Sequence, residues 1–101
     1  MITTKQRAFL RGLANTAEPI LQIGKGGINA NLVVQLKDAL LARELVKVSL
    51  LETSPITARE AAQELAVSAD ADIVQVIGSR FTLFKRNEKE PKILLPKARK
   101  I

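Results

Sequence analysis

The sequence predicts a single α/β domain with a mixed four-stranded sheet, in the order α-β-α-β-α-β-β. Helix-start residues at Thr3 or Thr4, at Asn29 and at Thr57 each precede a stretch with helical periodicity. Short runs rich in β-branched residues separate those stretches. The last two apolar runs are joined only by Gly78-Ser79, the pattern of a hairpin.

The first helix opens at Thr3 or Thr4 and continues through KQRAFLRGLAN. Gln6, Phe9, Leu10 and Leu13 share one face, Arg7 and Arg11 share another at i, i+4 spacing, and Asn15 and Thr16 end the helix. Pro19 then leads into PILQIG, which suits a first strand of about five residues. After the glycine loop, Asn29 caps a second helix running to about Arg43, with Ile28, Leu32, Val33, Leu36, Ala39 and Leu40 as its core stripe. Residues 45–51, LVKVSLL, form the second strand. Thr57 and Glu60 make a capping box for a third helix whose inner face is mostly alanine, so it must pack closely. Asp70 and Asp72 turn the chain into IVQVIG, and Gly78-Ser79 turns it again into RFTLFKR. Strands one to two and two to three, each joined by a helix, are expected to be parallel neighbours. Only the last pair is expected to be antiparallel. Helices two and three are expected on one face of the sheet.

The 101 residues suit one domain with a small core, and 47% hydrophobic with 26% charged residues argues against wholesale disorder. Sixteen Lys and Arg against ten Asp and Glu leave +6, which favours a polyanionic partner. The chain has no Cys and no His, which removes disulfides and the usual zinc and redox chemistries. No metal site, cofactor or small-molecule substrate is expected. Asp70 and Asp72 suggest turn hydrogen bonding, and no nucleophile or general-base constellation exists, so the chain reads as a non-enzyme. No apolar run reaches the ~18–20 residues of a membrane span, and residues 1–20 lack a secretory core, so a cytosolic location is expected. The domain is assigned to residues 1–86 and a basic tail to residues 87–101, where five basic and two acidic residues give +3. Pro91 and Pro96 mark that tail as an arm, with KILLP as a piece able to dock.

Gly24-Lys25-Gly26-Gly27 fits G-x-x-G between a strand and a helix. Glycine allows positive φ and removes the Cβ that keeps a ligand from the main chain. The helix behind presents unpaired N–H groups and the positive end of its dipole, and Lys25 adds a charge at the tip. Such a loop can hold phosphate oxygens, as the KH-type G-x-x-G loop does. The triphosphatase pattern fails because no Ser or Thr follows Lys25, and the dinucleotide pattern G-x-G-x-x-G is absent. Arg7, Arg11, Arg80, Lys85 and Arg86 are further candidate contacts to RNA. Arg59, opposed to the dipole of helix three, reads as a tolerated surface charge. Phe9, Phe81 and Phe84 read as core, so recognition should depend on backbone and shape rather than stacking.

Taken together, TTKQRAFLRGLA, QIGKGGIN, ALLARELVKVSLL and VIGSRFTLFKR resemble the YhbY-type CRM domain (chloroplast RNA splicing and ribosome maturation) over residues 1–86. The resemblance implies a fold similar to the C-terminal domain of translation initiation factor 3. It also implies an RNA-binding protein associated with precursors of the large ribosomal subunit, contacting RNA through Gly24, Lys25, Gly26 and Gly27. Gly26 is an extra glycine relative to the family pattern. An alternative is a protein-interaction module docking on a ribosomal protein or assembly factor through the tail. A monomer is expected.

Overall fold

The computed structural model describes residues 2–93 and 95. Its elements are α1 (Thr4–Thr16), β1 (Leu21–Ile23), α2 (Ala30–Arg43), β2 (Leu45–Leu50), α3 (Ala58–Ala69), β3 (Asp72–Ile77) and β4 (Arg80–Phe84). Each helix starts where a short polar side chain satisfies a free backbone donor. The Thr3 hydroxyl accepts from the Gln6 amide while the Gln6 side chain accepts from the Thr3 amide. Thr57 and Glu60 make the same reciprocal pair on α3. Asn29 Oδ1 accepts from the Leu32 amide at 2.8 Å.

The sheet order is β1-β2-β4-β3. β1 and β2 are parallel, with Ile23 opposite Leu50. β4 is antiparallel to both β2 and β3. This corrects the expectation that strands two and three adjoin in parallel: the hairpin folds back so that β4 fills the place between them. Burial supplies the reason. Phe81, Thr82, Leu83 and Phe84 are all buried, as a strand covered on both faces requires, whereas β3 ends on an exposed Ile77 and suits an edge. β1 is also shorter than expected, at three residues.

Two clusters fill the two faces of the sheet. Leu32, Leu36 and Leu40 of α2 and Ala61, Ala62 and Leu65 of α3 pack with Val46, Val48, Phe81 and Leu83, so α2 and α3 share a face as predicted. Alanine on α3 removes the bulk that would hold the helix off the sheet. Leu36 is fully buried, and its truncation to Ala should cost about 2–5 kcal/mol. On the opposite face, Leu10 of α1 packs with Val74 and Phe84. Phe9, expected in the core, and Leu13, on the same face of the helix, remain 40% and 37% exposed because only Leu10 and Ala14 of α1 are buried. Among the described residues no helix is long and apolar enough to cross a membrane.

The start of the tail is anchored, which narrows the reading of a free arm. Glu44, the residue linking α2 to β2, is fully buried at φ +65°. Its Oε2 accepts from the Asn87 amide (2.7 Å), and its Oε1 accepts from the amides of Lys92 (2.7 Å) and Ile93 (2.6 Å). Asn87 closes the turn, accepting from the Lys89 and Glu90 amides and donating to the Leu41 carbonyl. Ile93 and Leu95 then pack against the Leu10 cluster. Leu94 and Pro96 of KILLP lie outside the described residues.

Candidate nucleic-acid interface

The glycine loop leaves β1 at one end of the sheet and enters α2. Gly27 adopts φ +65°, a conformation costly to any residue with a side chain, and a Cβ there would meet Pro55 Cγ at 3.2 Å. A Cβ on Gly24 would meet Leu51 Cδ1 at 3.3 Å. Gly26 has open space around it and ordinary φ, so neither packing nor backbone geometry demands glycine there.

The amides of the loop are not equivalent. Gly27 N–H donates to the Gly24 carbonyl at 3.0 Å and is spent inside the turn. Among the described residues no hydrogen bond occupies the amides of Lys25, Gly26, Ile28, Ala30 or Asn31. The first turn of α2 carries no acidic residue, so the positive end of its dipole is not neutralised locally. α3 also begins at this end, but Glu60 occupies its first turn and bonds the Thr57 amide. The free donors with no acidic residue beside them therefore belong to the loop and α2, with exposed Lys25 next to them.

Of the other predicted contacts, only Arg80 reaches this end. It lies opposite Ser49, just after the Gly78-Ser79 turn, and takes part in none of the ion pairs among the described residues. Lys85 and Arg86 follow Phe84, which itself is about 13 Å from Arg80 along a strand rising ~3.3 Å per residue. Lys85 Nζ donates to Asp70 Oδ2 (3.3 Å) and to the Asp70 carbonyl (3.2 Å), so it caps the C-terminus of α3. Arg7 is half-buried, with a buried Nε that has no partner among the described residues, and Arg11 is exposed. Both are on α1, across the sheet from α2 and α3.

Arg59, set aside in the sequence reading, is exposed in the first turn of α3, beside the segment whose Pro55 meets Gly27. Lys47 was also missed. Its Nζ donates to the carbonyls of Ala14 (3.0 Å) and Ala17 (3.3 Å), and alternation along LVKVSL already placed it opposite Val46 and Val48. No group of three or more acidic side chains that could hold a metal ion occurs among the described residues.

Comparison with known proteins adds an independent line. The CRS1 / YhbY (CRM) domain profile matches residues 2–85. A Bacillus subtilis protein named "Probable RNA-binding protein YqeI" is 41% identical over 96 residues, covering 95% of this chain and all of that one. A Haemophilus influenzae protein named "RNA-binding protein" is 31% identical, covering 95% of this chain and 96% of its own. The solution structure of SAV1595 from Staphylococcus aureus superposes with a TM-score of 0.79 at 42% identity, covering 95% of this chain and all of that one.

Proposed function

The chain belongs to the CRS1/YhbY (CRM) domain family, and from that premise we propose that it is a non-catalytic RNA-binding protein holding the backbone of structured ribosomal RNA during large-subunit assembly. The relatives' names support RNA as the class of partner. The observation that carries the proposal is the row of unoccupied amides at Lys25, Gly26, Ile28, Ala30 and Asn31, at a helix start without acidic residues. Backbone donors of this kind suit phosphate oxygens and carry no base specificity. Lys25, Arg80 and Arg59 add charge at the same end, while Lys85 and Arg86 lie too far along β4 to join the same contact. Residues 1–86 carry the binding surface, residues 87–101 form a basic tail whose start is clasped at the other end of the sheet, and the protein acts in the cytosol. Docking of a protein through the tail is the weaker reading, since Ile93 and Leu95 already pack on the chain's own core.

Fluorescence anisotropy with labelled fragments of large-subunit precursor RNA tests this. Gly26→Asp places a carboxylate where nothing in the fold resists it, so it should lower RNA affinity at least tenfold with an unchanged melting temperature. Full affinity in the folded variant would remove the loop from the mechanism.

A further inference from the structure

Three features stand apart from the glycine loop: the buried Glu44 carboxylate, the exposed apolar stripe of Phe9 and Leu13, and a small cleft on the α1 side of the sheet. Glu44 is fully bonded, and nothing indicates what would cover the stripe.

We propose that this cleft receives one unstacked nucleobase of the bound RNA and reads its edge, a proposal that rests on the RNA-binding reading above. The cleft encloses about 150 Å³ and is lined by Asn15, Lys47, Gln75, Ile77, Arg80 and Thr82. That is below the ~300 Å³ of a drug-sized pocket, so it suits a single ring system. Lys47, Thr82 and Gln75 lie side by side across β2, β4 and β3, and Arg80 and Ile77 form the next row. A break in register between Ile73 and Gln75 makes this possible. Val74 packs towards α1, and strict alternation would send Gln75 to the other face; the irregularity keeps both on the α1 side.

The polar groups are of mixed kind. Thr82 is fully buried, and its Oγ1 has no hydrogen-bond partner among the described residues. A buried hydroxyl without a partner is a destabilising feature, and Thr82 is one of the residues lining the cleft. Gln75 Nε2 makes one long contact, 3.5 Å, to Asn15 Oδ1, which leaves amide donors and acceptors free. Lys47 spends two of its three protons on carbonyls. A phosphate would need donors alone, whereas a base edge offers donors and acceptors together. Exposed Ile77 supplies an apolar wall for the ring. Arg80, at the mouth, is on the same end of the sheet as the glycine loop, two strands away and thus about 10 Å across the sheet. One strand of RNA can therefore touch both.

The test is a two-dimensional NMR titration of the isotopically labelled full chain with the four ribonucleoside monophosphates, and in parallel with inorganic phosphate. Phosphate should move the amides of residues 25–31 and leave the side-chain amides of Gln75 and Asn15 in place. At least one nucleotide should also move the side-chain amides of Gln75 and Asn15. Thr82→Val, which keeps the shape of the side chain, should melt no lower than the parent, abolish the Gln75 response and weaken RNA binding about fivefold. Asn15→Ala, on an exposed helix turn, should weaken the same response. Nucleotides that move only the loop, or a Thr82→Val chain that still shows the Gln75 response, would overturn the pocket and leave the loop reading intact. A pocket that responds while residues 24–27 stay still would uphold the pocket and defeat the loop reading.

Discussion

The two ends of α2 treat the same chemistry in opposite ways. At its C-terminus a buried carboxylate, Glu44, accepts from three backbone amides of residues 87–93, and the contact is closed within the chain. At its N-terminus the amides of Lys25, Gly26, Ile28, Ala30 and Asn31 meet no carboxylate among the described residues. The protein evidently has the means to satisfy such amides with an anion of its own, and it does so only where the contact is structural. On the function proposed above, the complementary anion at the loop is a phosphate of the RNA. A negative charge at a helix C-terminus is also unfavourable to the dipole, so Glu44 is retained against a cost that its three bonds offset.

The largest expected effects break this contrast from the closed side. Glu44→Ala strands three amides and should lower stability by about 3 kcal/mol, read from the denaturant midpoint, since bonds to charged acceptors are worth ~1.5–3 kcal/mol each and the released segment regains water. Hydrogen exchange at Asn87, Lys92 and Ile93 should accelerate while RNA affinity holds. An unaltered midpoint would mean that the clasp is ornamental. On the open side, Lys25→Glu should reduce RNA affinity more than tenfold with no change in melting temperature, and Lys25→Gln should lower the slope of log affinity against log salt by about one. A slope that stays the same would remove Lys25 from the phosphate contact.

A smaller effect sharpens the picture within the loop. Gly27→Ala forces a side chain into positive φ against Pro55 and should cost about 1–2 kcal/mol, while Gly26→Ala should stay within ~0.5 kcal/mol. Equal costs at the two positions would contradict the turn geometry. For the same reason an Asp at Gly27 tests folding as well as binding, and Gly26 is the cleaner position.

What the sequence made legible was local. Asn29, Thr57 and Glu60 announce their helices because a cap and its target amide are only three residues apart. The G-x-x-G pattern was legible for the same reason. The place of β4 was not, because pairing with β2 depends on which strand can tolerate burial on both faces. The unbroken run from Phe81 to Phe84 contained that information, but the helix-linked order of the strands argued the other way. Glu44 could not be read as a structural acceptor, since its partners lie 43 to 49 residues further along the chain. Nor could the internal bond of Gly27, which divides the loop's amides into one that is used and others that are free.

The clasp bears on how this protein should be cut for experiments. A fragment ending at Arg86 would have every residue of the binding loop, yet it would strip a carboxylate inside the fold of all three of its donors. Loss of a partner on removing residues 87–101 would then report a loosened scaffold as readily as a missing docking peptide. The smallest faithful fragment runs through Ile93 and Leu95, and trimming should begin beyond them.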